Sequence, residues 1–303
     1  MSTHLSALLE YVAEKYPRCR EGISEAMGVD RPRFAEVAET TLDWAQHARG
    51  PDAIARAVDA YAQFTTDVNL AQARYEKTGA YEHSSFAQVY ENHYSQHSEM
   101  DTYLWGIYLT NFLWAHHMEI WRKFDDEFVR HLPDHARVIE IAPGHGCWGV
   151  WALHKRSTVR LTGYDISATS IEIASSVARA AGVHDRTKYE QRDALDLSQL
   201  EGGSADASIC CFLIEHLEQP LKLFEVIHHL LRVGGRAFVT GALTAAQIDH
   251  IYEFRHESEL VQMAELTGLR VLQTCSTNPR RTLPRARFVP RSMALLLEKP
   301  KRA

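Results

Sequence analysis

The densest chemistry in this sequence sits where short β-branched runs end. RVIEIA (137–142) flows into Pro143-Gly144-His145-Gly146-Cys147-Trp148-Gly149, after which a helical stretch begins. Glycines at such a junction let the backbone turn tightly and approach a ligand, with helix N-terminal amides facing it. The next run, VRLTGYD, ends in Asp165, where a carboxylate can accept hydrogen bonds from two adjacent ribose hydroxyls. TKYEQ is followed by Arg192-Asp193-Ala194, and ASICCFLI by Glu215-His216. If these runs are parallel strands, all four acid-bearing ends open on one side of a sheet, where ligands bind in such folds. Glu140, inside the first run, can reach an ammonium group, and Asp193 offers an adenine amino group an acceptor.

Histidine is abundant, at 17 residues. His145 lies within the glycine turn, and His216 completes the Glu-His pair. Asp249-His250 follows the fifth run, in TAAQIDHIYEFRH. His250, Tyr252 and Tyr90 are the candidate catalytic residues, with His250 or Tyr252 as a base. A mononuclear iron or zinc site built from His250, Asp249 and one of His116 and His117 stays open, but no HxH or HxxxH spacing supports it and no metal is assigned. Between Phe86 and Phe124 the chain is strongly aromatic, which fits either a helix-packing core or a cap that excludes water and sets π faces against a cation. Tyr81, Tyr90, Tyr94 and Tyr103 are its candidate pocket residues. The loop 278–291 carries five arginines and no acid, as a solvated edge loop would, or a site for a carboxylate, a phosphate or an acidic carrier protein.

These residues need two kinds of scaffold. Residues 1–130 show helical periodicity and no convincing strand; Asp52 is placed to cap a helix after Gly50-Pro51, and Gly79 to make a turn. Residues 131–303 alternate strand and helix, predicting a mostly parallel sheet covered on both faces. LRVLQT and SMALLLEK, with no helix between them, predict a closing antiparallel hairpin. The fold class is therefore α/β: a Rossmann-like doubly wound sheet preceded by a helical cap domain.

Hydrophobic residues at 45% and charged residues at 24% exclude a wholly disordered or fibrous chain. A net charge of -6 argues against a general nucleic-acid surface. No apolar run is long enough to span a membrane, and the first residues do not read as a signal peptide. Five cysteines without a CxxC favour a reduced cytoplasm over a disulfide framework. Oligomeric state and acceptor are not readable.

Together, VIEIAPGHG (138–146), TGYDIS (162–167), RDAL (192–195) and the block 207–240 resemble the class I S-adenosylmethionine-dependent methyltransferases. The resemblance covers about 136–298. It implies S-adenosylmethionine as cofactor and these roles: Glu140 near the methionine amino group; Ala142, Gly144 and Gly146 around the methionine and ribose; Asp165 on the ribose hydroxyls; Ile166 and Ala194 beside adenine; Asp193 on its amino group; Cys211 and Phe212 near the methionine portion. His145, by its place inside the glycine turn, is a further candidate contact at the methionine end. Ala142 departs from the family's usual glycine and is expected to fit with a negative φ. The implied activity is methyl transfer to a small metabolite, with a carbon acid such as an α-keto acid attractive. Two alternatives stand beside it: cyclisation of the cofactor itself to azetidine-2-carboxylate with release of methylthioadenosine, and a non-catalytic cofactor-binding partner.

Overall fold

The computed structural model describes residues 3–301 except Ser95 and Leu283. The first part is helical: α1 (Thr3–Lys15), α2 (Arg20–Met27), α3 (Arg31–Arg49), α4 (Ala53–Thr78), α5 (Phe86–Val89), α6 (His97–Leu113) and α7 (Ala115–Lys123). Local signals set several ends. Asp30 caps α3 by accepting from the Arg33 amide at 3.2 Å, and Gly79 closes α4 in the left-handed conformation at φ 77°. Asp52 does take the N-cap position of α4, but its side chain makes no capping bond there.

The second part alternates as expected: β1 (Arg137–Ile141), α8 (Cys147–Lys155), β2 (Arg160–Asp165), α9 (Ala168–Ala180), β3 (Thr187–Gln191), β4 (Ala205–Cys211), α10 (Pro220–Leu230), β5 (Leu231–Leu243), α11 (Glu257–Leu266), β6 (Arg270–Thr277) and β7 (Arg291–Glu298). Seven strands form one sheet in the order β3-β2-β1-β4-β5-β7-β6. β1 to β5 are parallel, and β7 runs antiparallel between β5 and β6. The chain leaves β1 in one direction to reach β2 and β3, then returns to lay β4 and β5 on its other side. That reversal opens a crevice at the carboxyl ends of β1 and β4.

One apolar core joins the helical part to one face of the sheet. Trp121 and Phe124 lie 4.5 and 5.0 Å, ring to ring, from Trp148 of α8, and Phe124 meets Phe238 of β5 at 5.1 Å. Arg33 spans the carboxylates of Asp125 (3.0 Å) and Asp126 (2.9 Å), and the Trp151 indole donates to Asp125 at 3.1 Å. On the opposite face α10 and α11 cover β4, β5 and β7 with a second core. Among the described residues no helix is long and apolar enough to cross a membrane.

Candidate active site

A cavity of about 1520 Å³ runs from the carboxyl ends of β1, β2 and β4 under α4, α6 and the segment around Tyr94. One end is built by the turn after β1. Ala142 donates its amide to the Tyr164 carbonyl at 2.8 Å, and Gly146 donates to Pro143 at 2.7 Å as α8 starts. Gly144 and Gly146 have φ of 55° and 73°, and a Cβ on Gly146 would stand 2.8 Å from that of Ala174. Ala142 also adopts a positive φ, 52°, which overturns the negative value expected from sequence. Its amide is held by β2 while the chain must already turn away from β1. The left-handed conformation costs an alanine roughly 1–2 kcal/mol.

Asp165 is buried at the end of β2. Its Oδ2 accepts from the Gly144 amide at 3.0 Å and its Oδ1 from Ser167 at 2.9 Å. Burial outweighs these bonds and raises its pKa to about 6. Glu140 is 2% exposed. Its Oε1 accepts from Gly149 at 3.0 Å, while Oε2 has no hydrogen-bond partner among the described residues. Burial pushes its pKa up to about 8. Gly149 is needed here, because a Cβ would lie 2.2 Å from Glu140 Oε2. Asp193 accepts from the Leu195 amide at 2.8 Å and lines the cavity with Ile166, Ala194, Cys211 and Phe212. His145 is fixed by the Cys147 amide (3.1 Å) and Asn111 (3.3 Å), and burial lowers its pKa to about 3.

The other end is polar and buried. Phe212, at φ 53°, stacks on His117 of α7 with ring centres 4.7 Å apart. Beyond it, Glu215 and His216 from the turn after β4 meet Asp249 and His250 from the loop after β5. His216 Nδ1 lies 3.0 Å from the Asp249 carbonyl and 2.9 Å from the Tyr94 hydroxyl, which in turn donates to Asp249 Oδ2 at 3.1 Å. His250 Nδ1 lies 2.6 Å from the Ala245 carbonyl, and its Nε2 is 4.0 Å from Glu215 Oε1. Burial lowers the His250 pKa to about 3 and raises that of Glu215 to about 7. Burial would raise Asp249 as well, but the charges of His216 and His250 and the bonds from Tyr103 and Tyr94 hold it below the usual carboxylate value.

Of the candidates read from sequence, Glu140, Ala142, Gly144, His145, Asp165, Ile166, Asp193, Ala194, Cys211, Phe212 and His250 line one cavity. Gly146 does not line it and acts through the turn. Tyr94 and Tyr103 line it; Tyr81 and Tyr90 do not. Tyr252 packs on Phe254 with ring centres 4.6 Å apart, away from the cavity lining. The aromatic segment therefore divides: Trp105, Tyr108, Phe112, Trp121 and Phe124 are core, while Tyr94, Tyr103 and Trp114 face the cavity. Most of the arginine loop is spoken for internally. Arg281 pairs with Glu21 and Glu25, Arg287 with Glu76, and Arg291 with Glu257 at 3.4 Å. The sequence places Glu215 among the acid-bearing strand ends but gives its carboxylate no role of its own.

This sheet order with its antiparallel β7, a glycine turn after β1 and an acid closing β2 define a class. Residues 139–237, about a third of the chain, match the family described as "Methyltransferase domain". Among curated relatives, the ubiquinone biosynthesis O-methyltransferase of Xanthomonas axonopodis pv. citri is 28% identical over 113 residues, 36% of this chain and 44% of that enzyme. An uncharacterized Synechococcus protein is 28% identical over 119 residues, 39% of this chain and 28% of that one. The chain thus spans less than half the length of these relatives. Among solved structures, geranyl diphosphate methyltransferase in complex with SAM superposes with a TM-score of 0.50 at 16% identity, covering 65% of this chain and 90% of that one. The [4+2]-cyclase SpnF gives 0.50 at 15% identity, covering 62% and 82%. At these identities the structural likeness speaks to the fold.

Proposed function

We propose that this enzyme binds S-adenosylmethionine between the glycine turn and Asp165 and transfers its methyl group to a small-molecule acceptor held under the helical cap. The observation that carries this reading is the cavity. At about 1520 Å³ it exceeds the roughly 300–1,000 Å³ of a pocket for one small ligand, so nucleoside and acceptor fit together. The residues present suit the nucleoside. Glu140 keeps a buried oxygen without a partner, which an ammonium group would satisfy. Asp165 retains acceptor capacity beyond its two amide bonds, and the backbone at Gly144 leaves room for close approach.

When bound, the cofactor supplies a methyl group on a positively charged sulfur, an excellent leaving group. The protein's task is then to position the acceptor in line and keep water out. Phe212 and His117 form a stacked wall between the two ends, and Tyr94, Tyr103 and Trp114 add π faces beside it. The acceptor's polar group meets Glu215, His216 and His250. An acceptor whose nucleophilic atom adjoins oxygen atoms, such as the enol of an α-keto acid, suits this mixed lining.

The test is mass spectrometry of the purified protein with S-adenosylmethionine alone and with a panel of α-keto acids and phenols. We expect S-adenosylhomocysteine and a methylated acceptor only when an acceptor is present. Methylthioadenosine formed without any acceptor would refute the reading in favour of self-cyclisation.

A further inference from the structure

The cap histidines do not reach the Asp249-His250 pair: His117 lies on Phe212, and His116 stacks on Trp114 at 5.3 Å. Instead Glu215, His216 and His250 converge, each with one ligand atom within 4.8 Å of the others. In both imidazoles Nδ1 faces a main-chain carbonyl, Asp249 at 3.0 Å and Ala245 at 2.6 Å. A carbonyl oxygen only accepts, so each Nδ1 carries the ring proton and each Nε2 presents a lone pair. A main-chain carbonyl fixing the tautomer in this way is the usual support for a metal-bound histidine. The Tyr94 hydroxyl fits the same assignment: it accepts from His216 and passes its own hydrogen to Asp249 Oδ2.

Glu215, 1% exposed, brings Oε1 to 4.0 Å from the His250 Nε2 and has no hydrogen-bond partner for either carboxylate oxygen among the described residues. The amides of Glu215 and Ala242 are near enough to ease its charge, yet neither makes a well-aligned bond to it. Three ligand-bearing groups therefore converge, and among the described residues no donor reaches the Glu215 carboxylate. Buried charge of this kind is paired or coordinates a cation.

We propose that Glu215, His216 and His250 hold one divalent first-row transition-metal ion, with its remaining coordination positions open to the cavity and suited to a ligand bearing two adjacent oxygens. Two imidazoles and one carboxylate exclude magnesium and calcium as preferred occupants. All three residues line the cavity, which gives the open positions their direction. The ion stands on these residues alone; the oxygen-chelating ligand rests on the acceptor reading of this end of the cavity.

The test uses the full chain, stripped with chelator and titrated anaerobically with Co(II) in the absence of nucleoside. We expect one equivalent bound, visible d–d absorption, and two exchangeable paramagnetically shifted N–H resonances from the Nδ1 protons of His216 and His250. Glu215→Gln and His250→Ala should each weaken Co(II) binding more than roughly tenfold. His184→Ala, on the exposed surface, should not. Oxalate, as a two-oxygen probe, should shift the visible bands. Failure of the wild type to take up an equivalent, or fewer than two shifted N–H signals, overturns the site even if a variant fails to fold. Silence to oxalate overturns the open face. Because no S-adenosylmethionine is used, these results are separable from the methyl-transfer test.

Discussion

Glu140→Gln separates a carboxylate kept for a ligand from one kept for structure. The wild-type acid is buried with one oxygen on the Gly149 amide and the other without a partner, which raises its pKa from 4.5 to about 8. Between those values the native protein binds a proton that the unfolded chain does not. Stability from this group is full below about pH 4.5 and falls as pH rises toward 8. The slope is about 1.4 kcal/mol per pH unit, or ~2.7 kcal/mol between pH 5.5 and 7.5. Glutamine keeps the bond from Gly149 and has nothing to titrate. The gap between variant and wild type should therefore widen by about that amount in the variant's favour, whatever constant the amide's own burial adds. Urea unfolding at pH 5.5, 6.5 and 7.5 reads the gap directly, since every other titrating group is common to both proteins. At pH 7.5 S-adenosylmethionine affinity should be lower in the variant by up to roughly 1.5–3 kcal/mol, the scale of a hydrogen bond to a charged group, and the difference should shrink toward pH 5.5, where the wild-type acid must first give up its proton. Parallel stability curves, or an unchanged dissociation constant, would refute the reasoning.

Asp165→Ala should weaken S-adenosylmethionine binding by roughly 1.5–3 kcal/mol in calorimetric titration, because this carboxylate lines the cavity at the end of β2. Ala142→Gly should raise the urea midpoint: relief of the left-handed alanine, roughly 1–2 kcal/mol, exceeds the ~0.4–1 kcal/mol of extra unfolded-state freedom. A lowered midpoint would place the 52° φ in doubt as the source of strain. Arg281→Ala should speed proteolytic cutting within 278–291 and leave nucleoside affinity unchanged, since its partners Glu21 and Glu25 lie in α2.

The glycine-turn end of the cavity was legible because its signals are local. A strand, a glycine turn and an acid at the next strand's end each occupy a few consecutive residues, and the parallel sheet then brings them together. The φ of Ala142 was not legible, because its sign follows from a bond to Tyr164 across the sheet. The aromatic segment had two readings because helical spacing says which residues share a face but not what lies opposite; Trp121 met Trp148, while Tyr94 met His216. The convergence of Glu215 with His250 depends on the ends of β4 and β5 lying side by side. No spacing rule within either segment encodes it, so the sequence offered only an Asp-His pair and a Glu-His pair.

The tryptophan-rich contact between α7 and α8 has a mechanical meaning. A helical lid that swings open on a hinge would have to part Trp121 from Trp148 and Phe124 from Phe238, baring indole and phenyl surface to water at each turnover. That contact pins α7 to the sheet, so access to the chamber has to come from the other elements that line it, the 278–291 connection among them. Any change in what the chamber accepts would have to come by reshaping those elements, with the rest of the building left standing.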